Sequence, residues 1–118
     1  MIETVHATKL NSCIEKAILQ INDLDIDVIT KGIIIKLAID SFQTVETNLI
    51  SRDILYFIYS SIIKFQNKMK NYGISIDYID MATNVFIKQF RTIKSVDEYH
   101  IKILSDIKRP LSTRRLSS

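Results

Sequence analysis

Apolar residues recur every three or four positions along most of the chain, and isoleucine alone supplies twenty-three of the 118 residues. Only Gly32, Gly73 and Pro110 interrupt the helix-compatible stretches. Side chains repeating at that interval form stripes, and stripes leave water only when helices pack face to face. The sequence therefore predicts an all-α fold: a compact antiparallel bundle of about five helices over residues 1–109, with a short disordered basic tail at 110–118.

The first helix is expected from Thr4 to Asn22, with Ala7, Leu10, Ile14, Ala17, Ile18 and Ile21 on one stripe. Asn22 to Asp25 read as a turn, because short polar side chains satisfy their own backbone. A second helix should be capped by Asp25 or Asp27 and run to Thr47 or Asn48. Its inward set reads as Ile29, Ile33, Leu37 and Val45, widened by Ile34, Ala38 and Phe42. A strand over Ile33–Ile39 is the rival, since β-branched runs suit sheets, but the flanking period favours helix. Gly32 sits inside this helix, where close packing against a neighbour would account for it.

A third helix is expected over Arg52–Asn71, with Ser51 as its cap. It buries Ile54, Leu55, Ile58, Ile62, Phe65 and Met69. Tyr56, Phe57, Tyr59 and Ile63 cover its other faces, which makes it apolar nearly all round and suits it to a central place. Gly73 follows as a left-handed terminator. Ser75 caps a fourth helix, Ile76–Thr92, carrying Ile79, Ala82, Val85, Phe86 and Phe90. Ser95-Val96-Asp97-Glu98 has capping-box order and opens a fifth helix, Val96–Lys108.

Cys13 is the only cysteine, which rules out an internal disulfide and suits a reducing, intracellular setting. The longest apolar run, Ile54–Ile63, is about half of what a bilayer span needs. No basic-then-apolar leader opens the sequence. Asp23, Asp25 and Asp27 alternate like the start of a calcium loop, but Val28 and Ile34 occupy the places where that loop needs glycine and glutamate. His6 and Cys13 lie about 10.5 Å apart along a helix axis, too far to share a metal. No nucleophile–base pair, paired carboxylates or glycine-rich phosphate loop can be read from local spacing. No catalytic residue, metal or cofactor is expected.

Charge is lopsided. Residues 1–50 hold four lysines against seven acids, whereas residues 51–118 hold twelve basic residues against six acids. Lys64, Lys68, Lys88, Arg91, Lys102, Lys108 and Arg109, with Arg114 and Arg115 in the tail, form a candidate anion-binding set. A solvated helical surface is the plainer account of the same residues. Arg114-Arg115-Leu116-Ser117 also has the order that basophilic kinases prefer. Tyr56, Tyr59, Ile63 and Tyr72, with Phe57 and Ile87 nearby, form a candidate partner-binding set, because a small bundle cannot bury every face of an all-round apolar helix. The expected function is a small non-enzymatic interaction or regulatory protein that presents a helix face to another protein or to its own copy. The alternative is a nucleic-acid accessory protein working through the basic C-terminal half; a pocket for an apolar ligand is a third possibility.

Overall fold

The computed structural model describes residues 4–5, 7–44 and 49–93. Within them lie four helices: α1 (Ala7–Ile21), α2 (Val28–Ser41), α3 (Ser51–Asn71) and α4 (Ile76–Phe90). Two short extended pieces, β1 (Thr4–Val5) and β2 (Leu49–Ile50), pair antiparallel with Thr4 opposite Ile50 and Val5 opposite Leu49. The expected fifth helix and the tail fall outside the described residues.

Each helix packs on its neighbours in sequence, and α4 closes the circuit on α1, the most extensive of the helix contacts. The side-chain pairs show the antiparallel sense. Cys13 on α1 reaches Gln89 and Thr92 near the end of α4. Gln66 on α3 meets Thr83 on α4 across the turn between them. The β1–β2 ladder ties the entrances of α1 and α3 together at one end.

Three of the four stripes pack as the periodicity implies. α1 buries Leu10, Ile14, Ala17 and Ile21 with Cys13 beside them. α3 buries Ile54, Ile58, Ile62, Phe65 and Met69, and leaves only Leu55 of the expected set half-exposed. α4 buries Ile79, Ala82, Val85, Phe86 and Phe90. Each fully buried isoleucine, leucine or phenylalanine contributes about 1.5–3 kcal/mol against its exposed state. At the centre Phe42, Phe65, Phe86 and Phe90 form an aromatic cluster, with Phe42 and Phe86 stacked at 4.0 Å. Phe42 links the end of α2 to α4, two helices that otherwise scarcely touch.

The ends follow local chemistry. Asp27 caps α2, its carboxylate accepting from the Thr30 amide at 3.0 Å. That bond holds the Asp27 carboxyl below the usual aspartate range. Ser75 caps α4 by accepting from the Tyr78 amide. Gly73 ends α3 at φ 87°, while the Ile74 amide donates back to the Met69 carbonyl, the six-residue closure of a Schellman turn.

Several expectations need correction. Residues 4 and 5 belong to the ladder, and α1 begins at Ala7. α2 stops at Ser41, well short of Thr47. There Phe42 leaves helical geometry to enter the aromatic cluster, and Ser41 Oγ turns back to the Leu37 carbonyl at 2.7 Å. The inward face of α2 is Ile34, Leu37, Ala38 and Ser41; Ile33 is half-buried and Ile29 is 76% exposed. α2 is apolar nearly all round, so periodicity could not choose its face. Among the described residues nothing packs closely on Gly32, since a Cβ built there meets nothing within 4 Å, and no such neighbour offsets the roughly 1 kcal/mol that it costs α2 relative to alanine. α3 is not enclosed either, since it keeps one long outward face.

Candidate functional site

The outward face of α3 bears a shallow groove of about 490 Å³ lined by Tyr56, Tyr59, Ser60, Ile63, Lys64, Asn67, Lys68 and Asn71. Steps of three, four and one place these residues on one side of the helix, opposite Ile58, Ile62, Phe65 and Met69. Tyr56 is 76% exposed and Tyr59 42% exposed, while Ile63 is half-buried beneath them. Lys64 and Lys68 are one turn apart further along the same side. No acidic residue lines the groove among the described residues. Ser60 Oγ donates to the Phe57 carbonyl at 3.2 Å, which turns that hydroxyl inward along its own helix.

This groove brings together most of the expected partner set and two members of the expected basic set. Tyr72 is also exposed, but it lies past the far end of α3, roughly 24 Å along the axis from Tyr56. Ile87 is no surface residue: it is 3% exposed in the core. Lys88 and Arg91 are exposed around the end of α4 and line neither this groove nor the one described next. Lys102, Lys108, Arg109, Arg114, Arg115 and Ser117 lie outside the described residues. Among the described residues, Lys64 and Lys68 are the members of the basic set that line one groove together.

A second groove, of about 720 Å³, runs between α1 and α4. Its lining is polar: Thr8, Lys9, Ser12 and Lys16 from α1 face Gln89 and Thr92, with Cys13 at the floor. The Cys13 thiol donates to the Gln89 carbonyl at 3.5 Å, and Thr92 Oγ1 donates to that carbonyl at 2.7 Å. The same carbonyl also accepts from the Thr92 amide at 3.1 Å, so several donors converge on it at the end of α4. Lys9 and Lys16 line the same groove as Gln89 and Thr92, which bring the C-terminal end of α4 to it. Sequence reasoning missed this groove because its two walls lie more than seventy positions apart.

Among the described residues, no three of His, Cys, Asp or Glu gather as metal ligands. No helix among them is long and apolar enough to cross a membrane. No family model matches the chain, and neither a curated protein nor a solved structure matches it.

Proposed function

We propose that the chain is a non-enzymatic docking protein whose α3 groove takes an acidic, amphipathic helical segment of another protein. The observation that carries this reading is the joint exposure of Tyr56 and Tyr59 beside Lys64 and Lys68 on one helix face. Tyrosines offer large contact area at small entropic cost and are enriched where interfaces concentrate their energy. Two ammonium groups with no acid among the lining residues select a partner that carries carboxylates. The chain's own C-terminal segment fits poorly. Residues 94–118 hold six basic residues against three acids, so it would bring like charge to the groove.

A nucleic-acid reading draws on these lysines together with Lys88, Arg91 and the basic residues of 94–118, whereas the α3 groove itself gathers only Lys64 and Lys68. Calorimetry with a synthetic helix bearing leucines on one face and glutamates on its flank separates the two. The expected result is binding that falls at least about tenfold in the Lys64→Glu/Lys68→Glu double variant and in Tyr56→Ser. Equal affinity for wild type and both variants, or no binding to either, refutes the docking reading. Binding of a DNA duplex with a steep salt dependence, lost in the same lysine variant, replaces it with the alternative.

A further inference from the structure

The outward side of α3 changes character along its length. From its first turn onward it carries Asp53, then Tyr56 and Tyr59 over Ile63, then Lys64 and Lys68. Asp53 precedes Tyr56 by one turn, so it shares that side although it does not line the groove. The surface is acidic at one end, aromatic in the middle and basic at the other. Along the axis the lysines lie about 10 Å beyond the middle of the aromatic stretch. A ligand long enough to touch both parts meets them in a fixed order.

Helices favour acids in their first turn and bases in their last, where each offsets the partial charge of unfilled backbone groups. α3 follows that rule, with Asp53 at its start and Lys68 and Lys70 at its end. A partner helix built the same way fits this side in one sense only. Lying antiparallel, it sets its acidic start against Lys64 and Lys68 and its basic end beside Asp53. Lying parallel, it sets acid beside Asp53 and base beside the two lysines, so like charges meet at both ends.

We infer, on the reading of this groove as a docking site, that the bound segment lies antiparallel to α3 and carries its carboxylates N-terminal to its apolar anchors. Lys64 and Lys68 are one turn apart, so two carboxylates four positions apart face both. Counted from the first carboxylate, apolar side chains at about positions nine and twelve then lie over Tyr59 and Tyr56. A second copy of α3 fits less well. Its one carboxylate, Asp53, stands against Arg52, Lys64, Lys68 and Lys70, so two copies meet with like net charge.

Paramagnetic labelling of a bound peptide tests the sense of docking. The probe is a synthetic helix with glutamates at positions one and five, leucines at nine and twelve, and a nitroxide on an N-terminal cysteine. With the full chain observed by amide NMR, the signals of Asn67 and Asn71 should broaden and those of Tyr56 and Tyr59 should be spared. About 22 Å of helix separates Tyr56 from Asn71, which keeps the two sets distinct. Moving the nitroxide to the C-terminus should exchange them. A peptide with its leucines first and its glutamates last should bind about tenfold more weakly. Broadening at Tyr56 by the N-terminal label, or equal broadening at both ends, overturns the inference and leaves the docking reading standing. Equal affinity for the two orders does the same. If neither peptide binds, or if binding is unchanged in Lys64→Glu/Lys68→Glu, the docking reading falls and the inference with it.

Discussion

Replacing Phe42 with alanine tests the centre of the fold where a single side chain has to join non-adjacent helices. The ring is 4% exposed and lies against three others: stacked on Phe86 at 4.0 Å and 2°, edge-on to Phe65 at 5.8 Å, and tilted to Phe90 at 6.0 Å. Removing a fully buried phenylalanine costs about 3–5 kcal/mol, split between lost burial and the cavity left behind. The expected loss lies near the lower bound, about 3 kcal/mol, because Phe42 follows the last turn of α2 and the backbone there can relax into the space. For a chain of this size that loss lowers the melting temperature by roughly 12 °C. Urea unfolding followed by helical circular dichroism measures it, with Phe86→Leu and the double variant completing a cycle. The coupling between the two rings should be about 1 kcal/mol. A Phe42→Ala loss below about 1 kcal/mol, or a coupling indistinguishable from zero, would mean that the ring does not occupy the core and that the reasoning fails.

Three further outcomes follow from local geometry. Gly73→Ala should destabilise by about 1–2 kcal/mol in thermal unfolding, because φ 87° is a conformation that a Cβ resists. The Asp27 carboxyl is held below its ordinary range by the Thr30 amide, so its contribution to folding is complete above that range and vanishes as pH falls through the lowered folded value. Asp27→Asn keeps the cap and should flatten this acid-side loss of stability, read as melting temperature between about pH 5 and pH 2. Thr83→Val preserves shape at a fully buried position but removes the acceptor for Gln66 Nε2 at 3.4 Å; a loss of about 1 kcal/mol is expected for so long a bond, measured by urea unfolding.

Much of this architecture could be read from the chain, and the parts that could not share a cause. α1 and α4 each carry a polar side, so the spacing of Leu10, Ile14 and Ile21, or of Ile79, Ala82 and Phe86, identifies the buried stripe directly; α3 reads as apolar nearly all round, yet Ile54, Ile58, Ile62 and Phe65 form its buried stripe as the spacing implies. Asp27, Ser75 and Gly73 act through bonds to residues within a few positions, which makes caps and stops local properties. α2 carries no such polar side. With apolar residues at every angle, only the neighbours decide which face is covered, and Ile29 was misplaced for that reason. The α3 groove was legible because one helix makes it. The α1–α4 groove was not, because Lys9 and Gln89 meet only through tertiary packing. Lys88 and Arg91 show the same limit: a count of basic residues says how many there are and nothing about where they converge.

The partition of aromatic residues has a spectroscopic consequence. The chain has no tryptophan, and phenylalanine emits weakly, so its ultraviolet emission comes from its five tyrosines. Among the described residues the rings of Phe42, Phe65, Phe86 and Phe90 occupy the interior, while Tyr56, Tyr59 and Tyr72 face outward and Tyr78 is half-covered. Tyr56, Tyr59 and Tyr72 therefore sample whatever touches the exterior, and loss of the interior hardly alters their surroundings. Intrinsic emission becomes a label-free reporter of ligation at the outer side of α3 and a poor thermometer of unfolding.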